Sequence, residues 1–139
     1  MTTTAWVIDK IKTRIGVDGP EVTALVEAGH VTRFAEAIGD PNPRWTKEAP
    51  PTFLVALAPV SVHMSDAEEF GTGWLNGGNR FEYFAPVMIG DQITAKGRVV
   101  DVYDKAGSSG NLLFIVFETD YTNQRGTLVG RLRGTMIRR

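Results

Sequence analysis

The chain has 139 residues, 42% of them hydrophobic and 22% charged, with a formal net charge of -1 and no cysteine. That length suits one domain, residues 1–139, able to bury a core without staples. The balanced charge argues against a nucleic-acid partner, and the missing cysteines exclude a disulfide framework, a thiolate nucleophile and a Cys-bearing zinc site.

Met1 to Trp6 has no basic stretch leading into an apolar run, so no signal peptide is expected. No apolar run approaches the roughly 18 residues of a membrane span. A soluble, cytoplasmic protein that does not engage a membrane is the expectation. Residues 6–15 carry Val7, Ile8, Ile11 and Ile15 at helical spacing, with Gly16 and Asp18-Gly19-Pro20 as the stop. Glu21 to Glu27 alternates weakly, as a short strand does. Over 30–38, Val31, Phe34, Ala35 and Ile38 share one face of an amphipathic helix that Gly39 is placed to end.

Asp40-Pro41-Asn42-Pro43 cannot continue that helix, because each proline disfavours the α region for the residue before it. Pro50-Pro51-Thr52 opens a third helical segment, Phe53 to Ala58, with proline tolerated in the first turn. It is apolar nearly all round, which predicts burial; Pro59 bends or ends it. Residues 61–73 give no clear pattern.

From residue 74 the pattern turns to β. Leu75 to Phe84 is a strand candidate, followed by a turn over Pro86 to Asp91. Gln92 to Tyr103 alternates Ile93, Ala95, Gly97 and Val99 against Thr94, Lys96 and Arg98. The phase then slips to Val100 and Val102, which predicts a bulge. Residues 106–110 read as a hairpin loop, Leu112 to Tyr121 as a central strand, Asn123 to Gly126 as a turn, and Thr127 to Ile137 as the last strand. Helices followed by a four-strand antiparallel meander, with one helix apolar on all sides, predict an α+β domain in which a curled antiparallel sheet wraps a central buried helix. Four of the 15 basic residues crowd the end, at Arg131, Arg133, Arg138 and Arg139. A solvated strand edge is the expected reading, with a local basic patch as the alternative.

The segment Phe34-Ala35-Glu36-Ala37-Ile38-Gly39-Asp40-Pro41-Asn42-Pro43-Arg44-Trp45 resembles the start of the MaoC-like dehydratases, the (R)-specific enoyl-thioester hydratases, whose signature is G-D-x-N-P-x-H. Ala49-Pro50-Pro51-Thr52-Phe53, Phe81-Glu82-Tyr83 with Pro86 and Gly90-Asp91, Asp101 to Lys105, and a closing strand ending Met136-Ile137-Arg138 match in order. Together they span about residues 22–138. The set looks most like the N-terminal, often non-catalytic, branch, which includes the partner subunit of heterodimeric (3R)-hydroxyacyl dehydratases. The resemblance implies a single hot-dog domain handling CoA or acyl-carrier-protein thioesters, without a cofactor or metal.

In active members the Asp and His of the signature activate water and move a proton at the α-carbon. A backbone N–H at the start of the central helix holds the thioester oxygen, a preorganised donor of the kind that usually carries a large catalytic term. Residue by residue, Asp40 takes the Asp position and Asn42-Pro43 the Asn-Pro, while Trp45 falls where the catalytic His belongs. Indole is a donor only and does not titrate in water, so it cannot cycle a proton. Pro50-Pro51 stands where active members carry His-Gly, and proline has no N–H to give, which leaves the Thr52 amide. Only Thr46-Lys47-Glu48 separates Trp45 from Ala49, where family members carry a longer insert.

Other candidates have structural alternatives. Asp40 is either catalytic or an Asp that bonds nearby backbone in a turn. His63, with Asp66 placed to orient it, is a candidate for the missing imidazole, against a surface histidine; His30 reads as a helix-start residue. Asn76 is an acyl-channel candidate or a turn residue. Trp45, Trp74 and Tyr83 are candidates for lining an acyl tunnel, against plain core. Three functions follow. One is a catalytically incomplete subunit that forms a heterodimer with a catalytic MaoC-like chain. Another is an active homodimeric hydratase using Asp40. The last is a hot-dog acyl-CoA thioesterase, against which stands the lack of a carboxylate between Thr52 and Met64. Edge strands of a single sheet invite dimerisation in each case.

Overall fold

The computed structural model describes residues 3–57, 65–108 and 110–139. His63 and the end of the third helical segment at Ala58 and Pro59 therefore lie outside the described residues. The elements run α1 (Thr3–Lys12), β1 (Asp18–Leu25), α2 (Ala28–Ala37), a 3-10 helix (Pro43–Thr46), α3 (Phe53–Leu57) and a second 3-10 helix (Ser65–Phe70). Four strands follow: β2 (Trp74–Tyr83), β3 (Gln92–Gly107), β4 (Gly110–Thr122) and β5 (Leu128–Arg138). Among the described residues, no helix is long and apolar enough to cross a membrane.

The expected four-strand meander is corrected to one five-stranded antiparallel sheet ordered β1-β3-β4-β5-β2. Strand β2 pairs with β5 and not with β3 (Phe81 opposite Leu132, Tyr83 opposite Gly130). The cause lies in the connection over residues 84–91. It does not close a tight hairpin, because its end is tied to the end of β1: Gly90 N–H donates to Val26 O at 2.8 Å and Val26 N–H to Asp91 O at 2.8 Å. Strand β3 thus leaves beside β1, and β2 stays at the far edge. The predicted bulge is present, as a register shift between Val99 and Asp101.

Alternation sorts the sheet into two faces. Ile93, Ala95, Tyr121 and Leu132 pack inward with Phe53, Leu54 and Leu57 of α3 and with Val31 of α2. A second core joins Val7 and Ile11 of α1 to Ala67, Val99, Val102, Leu113 and Ile115. Asp66 clamps this end, accepting from Arg14 Nε at 2.6 Å and lying 3.4 Å from Lys10 Nζ. Helix α3 thus sits between α2 and the sheet, as expected, but not with every side covered. Phe53, Leu54 and Leu57 are buried, whereas Val55 is 46% exposed. Helix α1 stops at Lys12, short of the predicted Ile15. Thr13 Oγ1 turns back to Lys10 O at 2.6 Å, and Ile15 instead bridges Val99.

The outer face carries a charge lattice. Glu118 accepts from Arg98 and Arg133, and Asp120 from Arg98 and Arg131. The terminal arginines therefore do not form one basic patch. Two are spent on this lattice, and Arg138 is buried with its guanidinium 4.9 Å over the Trp74 ring.

Candidate functional site

The signature segment first serves the backbone. Helix α2 ends in a Schellman motif: Gly39 adopts φ +68°, its N–H donates to Glu36 O, and Asp40 N–H donates to Ala35 O at 2.9 Å. Asp40 Oδ1 then accepts from Asn42 N–H at 3.0 Å, and Asn42 Oδ1 from Arg44 N–H at 3.0 Å, with Pro43 in the first turn of the 3-10 helix. Each short polar side chain bonds the amide two residues on, the Asx turn these residues favour. Asp40 is half-buried and Asn42 exposed.

That 3-10 helix carries Trp45 onto the main core, against the buried cluster that includes Phe53 and Val87. The next residues are fastened to the loop after β2. Ala49 N–H donates to Val87 O at 2.8 Å, Ile89 N–H to Lys47 O at 2.9 Å, and Glu48 bridges Met88. Between them opens a cleft of about 310 Å³, walled by Trp45 and Pro51 on one side and by Tyr83, Ala85, Pro86 and Val87 on the other. Arg44 and Glu48 sit at its wall as an ion pair. Glu48 Oε1 accepts from Arg44 Nε at 2.8 Å and from Nη2 at 2.5 Å, and the guanidinium lies 5.5 Å from the Trp45 ring centroid.

Tyr83 stacks on Phe81, with ring centroids 5.7 Å apart and planes nearly parallel. Its neighbour across the ladder, Gly130, has no side chain to hold it off; a Cβ there would come within 2.9 Å of Leu54 Cδ1. Burial pushes the Tyr83 phenol up. Burial and, second, the nearby Tyr83 push Tyr121 up to about 12. Both phenols therefore stay protonated at neutral pH and do not serve as bases there. At the start of α3, Pro51 has no N–H and Phe53 N–H is taken by Pro50 O at 2.9 Å, so the Thr52 amide is the one left of these three.

Of the sequence-predicted residues, the structure brings Trp45 and Tyr83 together in the cleft, with Thr52 one residue beyond its wall at Pro51. It does not bring Asn76 there. Asn76 lies seven residues up β2, about 23 Å at strand rise, where its Oδ1 accepts from Gly78 N–H at the bulge between them. His30 packs edge-on against Phe53, with centroids 4.7 Å apart. Among the described residues no group of three His, Cys, Asp or Glu gathers as a metal site. The lining residues that sequence reasoning did not single out are Arg44, Glu48, Ala85 and Val87. Only Glu48 carried a readable signal, its four-residue spacing from Arg44.

An antiparallel sheet laid over a central helix, with this cleft beside it, defines a hot-dog domain, the fold of the MaoC-like dehydratase from Rhodospirillum rubrum and of the (R)-hydratase from A. caviae. The family model described as FAS1-like, dehydratase domain region, matches residues 13–131, and the chain belongs to that family. A UPF0336 protein of Streptomyces avermitilis is 29% identical over 94 residues, 56% of this chain; the chain spans 63% of that relative's length. A chain of the ChsH1-ChsH2 complex from Mycobacterium tuberculosis superposes with a TM-score of 0.79 at 17% identity, covering 96% of this chain and 89% of that one. A chain of the HadBC (3R-hydroxyacyl-ACP dehydratase) complex from the same organism gives 0.68 at 21% identity, covering 89% and 98%.

Proposed function

We propose that this protein is the catalytically incomplete subunit of an (R)-specific enoyl-thioester hydratase or 3-hydroxyacyl-thioester dehydratase, holding the acyl thioester in its cleft while a second hot-dog chain supplies the proton-moving groups. The observation that carries this reading is Trp45: an indole forms the cleft wall, and the family resemblance aligns that residue with the signature imidazole. The other polar groups of the wall do not replace it. Glu48 is spent on Arg44, and Tyr83 is held protonated. General acid–base work near neutral pH needs a group that titrates there and reaches the substrate.

Two further features support a partner. Tyr83 of the cleft wall and its neighbour Phe84 are 44% and 51% exposed, apolar surface beside the cavity. Strand β2 ends the sheet, and among the described residues its far edge is unpaired, an invitation to another strand. The two most similar folds described above come from two-component complexes, which fits a heteromeric assembly. The reading as an active homodimer rests on Asp40, and that carboxylate is already engaged in the Asx turn.

The test is reconstitution. Mixed with an active MaoC-like chain, the protein should form a stoichiometric complex whose KM for an enoyl-CoA rises when Ala85→Trp fills the cleft of this chain. A complex whose kinetics ignore that substitution would refute the reading.

A further inference from the structure

Trp45 ends in a polar atom that the fold leaves without a partner. Its Nε1 is sealed from solvent and makes no hydrogen bond, although the ring lines the cleft. Nearly all buried polar groups in native proteins are paired, and an unpaired one calls for an explanation such as a functional role. No described acceptor of the cleft wall lies within hydrogen-bond distance of Nε1. Glu48 takes both Arg44 hydrogen bonds on Oε1, the remaining wall side chains are mostly Ala, Pro and Val, and no bond crosses to Tyr83. A phenylalanine would keep an aromatic wall with no donor to satisfy, so the indole's nitrogen is what needs accounting for.

The chemistry of the missing acceptor is constrained. An indole N–H donates without carrying charge. Among the described residues the one cation of the wall, Arg44, is paired with Glu48 and lies against the Trp45 ring. Apart from the uncharged Tyr83 phenol, the other described lining side chains are apolar, and an anion brought there would lose its hydration without a free countercharge. The site therefore favours an uncharged oxygen over a carboxylate or a phosphate. Resting on the reading of the cleft as a thioester site, we propose that Trp45 is its specificity-determining residue: on binding, the ring turns into the cleft and its N–H donates to the thioester carbonyl oxygen. The residue that removes the imidazole's proton chemistry thus keeps a donor for the same substrate.

The test compares butyryl-CoA with S-butyl-CoA, in which a methylene replaces the thioester carbonyl, by calorimetric titration of the full chain. The wild type should bind the thioester about tenfold more tightly, a difference of about 1.4 kcal/mol. Trp45→Phe should bring the ratio near one, since no indole donor remains. Equal wild-type affinities for the two ligands would overturn the inference and leave the thioester reading standing. A tenfold ratio that persists in Trp45→Phe would also overturn it, by assigning the donor to another group. Failure of the wild type to bind either ligand would overturn the thioester reading itself. The wild-type comparison decides the matter even if the variant does not fold.

Discussion

Asp91 provides a sharp test of how the cleft wall is held. It is 4% exposed, and both of its carboxylate oxygens are used: Oδ2 accepts from Met88 N–H at 2.9 Å and Oδ1 from Gln124 Nε2 at 2.8 Å. Gln124 Oε1 in turn accepts from Gln92 N–H at 3.0 Å. One side chain thereby ties the loop that carries Ala85 to Val87 to the turn between β4 and β5. Hydrogen bonds to a charged acceptor contribute about 1.5–3 kcal/mol each. Met88 and Gln124 are exposed enough for water to replace part of the loss, so Asp91→Ala should cost about 2–4 kcal/mol. Asp91→Asn keeps one acceptor oxygen for two donors and should cost roughly half as much. Urea unfolding followed by circular dichroism, with an unchanged m value, reads both numbers. An alanine variant within about 0.5 kcal/mol of wild type, the range of an ordinary surface change, or an Asn variant as damaging as Ala, would refute the reasoning.

Three other perturbations have definite outcomes. A Cβ at Gly134 would collide with the Phe117 ring and come 2.9 Å from Asn79 Oδ1, so Gly134→Ala should destabilise by about 1–3 kcal/mol in the same unfolding assay. Burial alone would raise the Asp120 carboxyl, but the hydrogen bonds and charges of Arg131 and Arg98 outweigh it and hold the group below its ordinary 3.8. The stability it contributes is then present above pH 3.8 and lost as pH falls through the lower folded value, so the melting-temperature gap between wild type and Asp120→Asn should shrink on acidification past that point. Tyr121 behaves oppositely: its neutral form is favoured by burial, so its contribution is present below pH 10.0 and lost between there and about 12. Spectrophotometric titration should show one phenol of the three tyrosines ionising near 12, absent in Tyr121→Phe.

Much of the domain was legible because local pattern carries it. Alternation along 92–99 fixed the two faces of β3, and the slip after Val99 marked the bulge. Gly39 marked the end of α2 because that backbone position needs a positive φ. Strand neighbours were not legible in the same way. Periodicity says which face a residue takes, not which strand lies beside it, so β2 was placed in a meander when the tie between Gly90 and Val26 holds it apart. The cleft split along the same line. Trp45 and Tyr83 stood out from the ordered family blocks, but the wall at Ala85 to Val87 depends on the Ala49 to Val87 hydrogen bond, a pairing between residues far apart in the chain. Asn76 was read as either an acyl-channel candidate or a turn residue, because its position in a Gly-rich run could not reveal that its side chain bonds the Gly78 amide, several residues along β2 from the cleft.

The most direct measurement is the rate at which the purified chain, free of any other hot-dog protein, hydrates crotonyl-CoA. With an indole on the wall where an imidazole would move the proton, no turnover above background is expected, and activity should appear only on adding a catalytic partner. Hydration by the single chain at an ordinary enzymic rate, on the order of 10 per second, would contradict the account.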